Sequence, residues 1–197
     1  MCLSGTRLLI EEPVRDAFLE RFHAAVDAHV LGDPRDDATT VSPLIHPDHL
    51  ARAPRSPRRA RAAGERIVRG GERLGGLFYA PTLIEPTDND AEIVQNEVFG
   101  PVLTCQTFRT EEEAIALANS TRYGLSAIAY TSSMGRADRS GRAVRCGVVW
   151  VNTFLVRDLS APFGGMGESG IGREGGDYAL DFCSDLKTLQ ILDGSVR

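Results

Sequence analysis

From Pro101 onward the chain alternates strand-like and helix-like segments, and this alternation constrains the fold more than any other feature. Val102 to Phe108 reads as a strand. Thr110 then caps a helix, with Glu113 three residues on completing a capping box. Ser126 to Thr131 reads as a strand, residues 135–145 as a helix and Gly147 to Val151 as a further strand. Strands that alternate with helices are joined by crossovers, and crossovers give a parallel sheet. The fold class is therefore α/β.

The first half fits the same scheme. Thr6 to Ile10 reads as a strand, and Pro13 sits where a first helical turn tolerates it. Glu11 and Glu12 stand beside the positive end of that helix dipole. Val14, Phe18, Phe22, Val26 and Val30 recur every four residues as one apolar stripe, and Gly32-Asp33-Pro34 stops the helix. A helix is expected around residues 48–63, and short strands at Arg66 to Val68 and Leu83 to Ile84. A glycine-rich loop over 164–176, a short helix and a last strand, Lys187 to Leu192, close the chain.

Composition excludes several function classes. The 197 residues, 42% hydrophobic, suffice for one domain with a core. A net charge of -5 points to neither nucleic acid nor acidic lipid. No apolar run reaches bilayer length and no signal peptide is visible. Cys2, Cys105, Cys146 and Cys183 form neither a metal-ligand spacing nor a disulfide framework, so a reducing cytoplasm is expected. Cys105, Cys146 and Cys183 sit in apolar or strand-like stretches and read as core. His46 and His49 share an H-x-x-H spacing, but two ligands do not close a zinc site, so no metal is expected. Eight arginines between residues 52 and 73 read as a solvated helix face and not a nucleic-acid surface. Pro54 and Pro57 fall inside the expected helix, where a proline costs roughly 3 kcal/mol. Residues 53–59 thus read either as native or as a stretch translated out of frame.

Three strings carry more than periodicity. The first is Cys2-Leu3-Ser4-Gly5-Thr6-Arg7-Leu8-Leu9-Ile10. The second is Asn96-Glu97-Val98-Phe99-Gly100-Pro101-Val102. The third runs from Pro162-Phe163-Gly164-Gly165-Met166-Gly167 to Arg173-Glu174. In this order and at these separations they resemble the C-terminal half of the aldehyde dehydrogenase family, over essentially the whole chain. The resemblance implies a parallel-sheet catalytic domain over residues 1–176, with a C-terminal helix and oligomerisation strand over 177–197. It also implies a chain that starts one residue before the nucleophile. The family's dinucleotide-binding domain, its water-activating Glu and its oxyanion Asn would then be missing, and the chain alone is expected to be inactive.

The chemistry suits these residue types. A thiolate adds to an aldehyde, the resulting thiohemiacetal releases hydride, and the thioester is hydrolysed. Cys2 is the expected nucleophile, and its backbone N–H an oxyanion donor. Cys2 alone would read as a small buried hydrophobe. By resemblance, Glu97 holds the ribose hydroxyls of NAD (or NADP) and Phe99 packs against the nicotinamide end. Without the resemblance they would be a loop acid and a core aromatic. The glycine-rich loop lacks the G-x-G-x-x-G context and is not read as a phosphate cradle.

The string Trp150 to Leu159 follows a parallel strand at its C-terminal end, where α/β sheets place ligands. It resembles the semialdehyde dehydrogenases of aromatic-ring degradation, which act on 2-hydroxymuconic or 2-aminomuconic semialdehydes. Arg157 could hold a substrate carboxylate by a bidentate fork. It could equally be a surface arginine paired with Asp158 or another acid. Phe154 and Phe163 are candidate apolar walls of the substrate tunnel or plain core. The expected activity is NAD(P)-dependent oxidation of an aldehyde, a carboxylated semialdehyde among the candidates, in a homo-oligomer with no membrane or nucleic-acid partner. Two rivals stand beside it. One is a non-catalytic fragment that docks onto intact subunits through residues 186–192. The other is a cofactor-free thiol or esterase activity of Cys2.

Overall fold

The computed structural model describes residues 2–52 and 55–194. Its elements in chain order begin with β1 (Arg7–Glu11), a 3-10 turn (Glu12–Val14) and α1 (Arg15–Asp27). Then come α2 (Pro47–Arg52), α3 (Arg55–Ala62), β2 (Arg66–Arg69), β3 (Arg73–Gly75), β4 (Phe78–Tyr79), β5 (Thr82–Glu85) and α4 (Glu92–Gln95). The second half holds β6 (Val102–Phe108), α5 (Glu111–Ala118), β7 (Tyr123–Gly124), β8 (Ser126–Ala129), α6 (Met134–Ala143), β9 (Val148–Val151), β10 (Met166–Gly167) and α7 (Tyr178–Cys183).

The main sheet has the order β1-β6-β5-β2. β1 runs parallel to β6, with Arg7 opposite Thr104 and Glu11 opposite Phe108. β6 runs parallel to β5, but β2 is antiparallel to β5, so the sheet is mixed and not wholly parallel. β8 and β9 form a separate parallel pair joined through α6, the crossover that the alternation requires. Leu83 and Ile84 are neighbours in β5, point to opposite faces and are both fully buried. The sheet is therefore covered on both sides. Leu19 and Phe22 of α1 cover Ile10, Leu83 and Cys105 on one face. Leu50, Ala60, Ile93 and Val94 from α2, α3 and α4 cover Ile84 and Val102 on the other.

Local chemistry explains where the elements depart from the sequence reading. α1 ends at Asp27, and the Val30 carbonyl instead accepts from the N–H groups of Thr40 and Val41. The apolar stripe is also offset. Leu19 is the residue α1 buries, while Val14, Phe18 and Val30 are exposed and Phe18 stacks on Phe22 at 6.4 Å between ring centres. The helix expected over 48–63 is α2 and α3. Pro54 lies outside the described residues. Pro57 sits in the first turn of α3, where its missing N–H costs no helical hydrogen bond, and its side chain is buried. A native first turn thus accounts for Pro57 without a helix-breaking penalty. Thr110 caps α5 by accepting from the Glu113 N–H at 3.2 Å. The Glu113 carboxylate reaches back one residue further than a capping box does, to the Arg109 N–H at 2.8 Å.

Residues 187–192 form no strand in the structure, since a strand needs a partner to pair with. They are exposed, as is the preceding Leu186, with Leu189, Ile191 and Leu192 all at least 75% accessible. Among the described residues no helix is long and apolar enough to cross a membrane.

Arg7 fastens β1 to the helical layer. Its guanidinium donates to the Leu117 and Ala118 carbonyls at the end of α5 and to Ser120 Oγ at 3.2 Å. A cation there satisfies orphan carbonyls and complements the negative end of the helix dipole. Burial pulls its pKa down from the ordinary arginine value. Arg7→Met keeps the stem and removes the charged donors. We expect it to cost about 2 kcal/mol in urea unfolding. A loss below about 0.5 kcal/mol would show that water serves these carbonyls equally well.

Candidate functional site

Cys2 stands exposed in the turn that leads into β1, while the adjacent Leu3 is buried and pins that turn. The Asn96–Val102 string links α4 to β6, which lies next to β1 and parallel to it. The Thr104 N–H donates to the Thr6 carbonyl at 3.0 Å, so the pairing continues to the residue before β1. Both strings therefore enter the sheet at the N-terminal ends of neighbouring parallel strands. The Trp150 to Leu159 string instead begins at the C-terminal end of β9.

The glycine-rich loop comes back to the same end. Gly147, just before β9, faces Gly164 so closely that a Cβ on Gly147 would lie 1.6 Å from the Gly164 carbonyl oxygen. β10 pairs with β7 immediately before β8, with Met166 opposite Gly124. These glycines are required by the close approach of one backbone to another. Arg122 ties this loop to the second string. Its Nη2 donates to Asn96 Oδ1 at 2.8 Å, and its Nε lies 2.8 Å from Glu168 Oε2. The sequence reading missed Arg122, because a lone arginine between two elements matches no motif.

Glu97 is exposed, and its carboxylate has no hydrogen-bond or ion-pair partner among the described residues. Phe99 is 48% exposed at φ +53°, with its ring centre 6.1 Å from that of His49. A left-handed backbone is strained for phenylalanine. It turns the ring out of the core, where a bare reading of the sequence would have put it. Between the two, Val98 packs onto the core and anchors the segment. The segment thus presents a carboxylate two residues from an exposed aromatic ring.

In the loop after β9, Arg157 lies over the Phe163 ring, 4.6 Å from its centre, and 3.8 Å from Glu174 Oε1. Phe163 and Glu174 exchange backbone hydrogen bonds of 2.7 and 2.8 Å. Asp158 is engaged elsewhere, accepting from the N–H and Oγ of Ser160, and the Ser160 hydroxyl draws its carboxyl below the usual range. The acid beside Arg157 is thus Glu174 and not Asp158. Phe154 meets the buried Trp150 edge-on at 5.5 Å, and Trp150 Nε1 donates to the Val156 carbonyl. Asn152 and Leu155 have positive φ, and the Asn152 amide bridges the backbone of Thr131 at 2.9 and 2.8 Å.

The remaining cysteines divide differently from the sequence reading. Cys105 and Cys146 are buried as expected, but Cys183 is exposed. It ends α7, whose Tyr178, Leu180 and Phe182 are also exposed, so the apolar stretch around it covers no core. Burial pushes the Cys105 thiol up to about 11 and the Cys146 thiol up as well. Neither H-x-x-H histidine faces a ligand set. His46 Nδ1 accepts from the Asp48 N–H at 3.2 Å, His49 lies by Phe99, and the described residues hold no metal-binding cluster.

A family model described as "Aldehyde dehydrogenase family" matches residues 1–189. The chain is 43% identical over 185 residues to the (Z)-2-((N-methylformamido)methylene)-5-hydroxybutyrolactone dehydrogenase of Acinetobacter baylyi, across 92% of this chain and 38% of that protein. It is 37% identical over 196 residues to a 2-hydroxymuconic semialdehyde dehydrogenase of Pseudomonas putida, across 96% of this chain and 40% of that protein. A solved point mutant of betaine aldehyde dehydrogenase from Staphylococcus aureus, in complex with NAD+ and with a BME-modified cysteine, shares the fold with a TM-score of 0.87. That likeness has 37% identity and covers 91% of this chain and 38% of the other. The chain spans about two fifths of the length of the curated relatives it matches.

The burial pattern sets the order of thiol reactivity. Iodoacetamide at about pH 8, near the ordinary thiol value, should label Cys2 and Cys183 before Cys105 and Cys146, as read by peptide mapping. Early labelling of Cys105 would contradict its place under α1. The folded chain holds the Cys105 proton more tightly than the unfolded chain. Its contribution to stability is therefore intact below about pH 8.5. It is lost as pH rises toward about 11. Cys105→Val should flatten that alkaline decline, and an unchanged slope would assign the decline to other groups.

Proposed function

We propose that this chain, which belongs to the aldehyde dehydrogenase family, supplies the nucleophile and the ribose contact of an enzyme that oxidises an aldehyde to an acid with NAD or NADP. The observation that carries the reading is the pairing of β1 with β6. It brings the lead-in of an exposed free thiol and the lead-in of a free carboxylate to the same end of adjacent strands. Residues 1–176 would form the catalytic domain, and 177–197 the helix and segment that join a second copy. A reducing compartment suits the free Cys2 and Cys183.

Each residue has a defined part. The Cys2 thiolate adds to the carbonyl carbon, and the charge that develops on oxygen is met by the Cys2 backbone N–H. The nicotinamide cofactor, when bound, is the two-electron acceptor. Loss of hydride from the tetrahedral carbon leaves a thioester on Cys2, and water then releases the acid and the thiol. Glu97 would accept the two ribose hydroxyls, and its lack of another partner among the described residues leaves both oxygens available. Phe99 would border the same nucleotide end. The Arg157 guanidinium, with Phe154 and Phe163 as walls, would select a substrate that carries its own carboxylate. Likeness to a 2-hydroxymuconic semialdehyde dehydrogenase supports that class. The loose 3.8 Å approach to Glu174 leaves Arg157 able to exchange that acid for a substrate.

A second reading rests on Leu186, Leu189, Ile191 and Leu192, all exposed on a segment that pairs with no strand among the described residues. Such a segment can add to a sheet edge, so the chain could dock onto intact subunits without acting itself. Gel filtration with and without a full-length relative separates the readings, since docking alone leaves the dehydrogenase rate of the mixture unchanged.

The direct test joins this chain to the portion of a curated relative that lies outside the matched region. In that hybrid, Cys2→Ser should lower turnover by about a thousandfold or more. Arg157→Ala should raise KM for a carboxylated semialdehyde roughly thirtyfold while leaving a neutral aldehyde of similar size unaffected, as loss of about 2 kcal/mol of charged hydrogen bonding implies. Turnover that survives Cys2→Ser would sink the thiol reading. Equal effects on both aldehydes would make Arg157 structural.

A further inference from the structure

We infer that Arg122 is a positioning residue, which holds the Glu97 segment against the glycine-rich loop and so fixes where the ribose contact stands. The inference rests on the ribose reading of Glu97 given above. Residues 96–101 are irregular, and their side chains have little to hold them. Asn96 ends α4 in an extended conformation, with its N–H still bonded to the Glu92 carbonyl at 3.0 Å. Val98 is the one side chain of Asn96, Glu97, Val98 and Phe99 that packs into the core. Phe99 adds a strained backbone at φ +53°. Such a segment relaxes unless something outside it constrains it.

Arg122 provides that constraint from a rigid base. Its carbonyl accepts from the Glu168 N–H at 2.9 Å. Gly167 sits at φ +59°, and a Cβ there would come within 2.3 Å of the same carbonyl oxygen. The backbone at 122 is thus locked to the glycine-rich loop before its side chain does anything. The guanidinium then lies 4.7 Å from the Tyr123 ring centre, donates to Tyr123 Oη at 2.7 Å and to Asn96 Oδ1 at 2.8 Å, and pairs with Glu168 at 2.8 Å. A single exposed ion pair would contribute little. Here one planar fork engages partners from separate segments at once, which a lysine's single ammonium cannot reproduce. Asn96 is the immediate neighbour of Glu97, so this tie acts one residue from the carboxylate.

Hydrogen exchange on the full chain tests the tie without any cofactor. In Arg122→Ala, the Asn96 amide, which donates to the Glu92 carbonyl, should exchange about tenfold faster or more, with the β5 and β6 amides unchanged. Asn96→Ala should reproduce the effect from the other end, and Arg122→Lys should fall between. Unchanged exchange at Asn96 in Arg122→Ala overturns the proposal, and so does a loss of protection spread evenly over the sheet. The functional arm uses the hybrid enzyme. There Arg122→Ala should raise KM for NAD about tenfold, with the rate at saturating NAD kept within about twofold. If KM for aldehyde rises as much as KM for NAD, the positioning role is refuted. Glu97→Gln separates this inference from the reading beneath it. If that variant keeps the parent KM for NAD, the ribose reading has failed, and the exchange result alone decides the tie.

Discussion

The parallel pairing of β1 with β6 is the constraint on which the rest depends. It joins the first and last parts of the main sheet, and it brings the lead-ins of the Cys2 turn and the Glu97 segment to the same end of adjacent strands. The pairing is held from three directions. Backbone hydrogen bonds run from Thr6 through the register, Leu19 and Phe22 press on one face, and Arg7 reaches across the other to the end of α5. Apolar burial supplies most of the driving force, since it scales with area and needs no alignment. The hydrogen bonds add direction, because an unpaired strand group in this covered sheet would be left without water.

Much of the architecture was legible in the sequence, because local patterns report local structure. The capping Thr110, the strand Val102–Phe108 and the β8-α6-β9 crossover were all recoverable from spacing and residue type. What failed has a common cause. A four-residue repeat of Val and Phe says that a helix is amphipathic, but not which of its faces another element will cover, so α1 buries Leu19 and leaves Phe18 half open. Cys183 lies among large apolar residues, yet the described chain leaves more than half of each of Tyr178, Leu180 and Phe182 open. The antiparallel β2 is a long-range outcome with no local mark. Arg122 was invisible for the same reason, since its meaning comes from Asn96 and Glu168, which are remote in sequence. The candidate residues Cys2, Glu97 and Arg157 were reached through resemblance, not through spacing.

Among the described residues, the non-glycine residues with left-handed backbones are Phe99, Asn152 and Leu155, and all of them lie in the two loops that carry candidate contacts. Such conformations cost about 1–3 kcal/mol each and persist only where neighbours over-determine them. The neighbours are visible: Val98 in the core beside Phe99, and Thr131 clasped by the Asn152 amide. The glycine contacts tell the complementary story. Where two backbones touch, at Gly147 and Gly164, the chain gives up side chains so that the loop can close on the strand ends.

The position of β1 at one end of the sheet order has a kinetic consequence. Its partner strand enters the chain only after the helices and strands between them have been made. Forming this contact closes a very long loop, which is entropically costly and slow relative to the local hairpin and crossover contacts. The β8-α6-β9 unit can assemble from neighbouring residues, whereas the turn bearing Cys2 gains its fixed surroundings only when the edge strand docks. The same geometry works in reverse. An edge strand detaches at less cost than a central one, so the thiol can lose its setting while β5 and β6 remain paired. The Cys2 turn is therefore expected to be among the last parts of the fold to gain its setting and among the first to lose it.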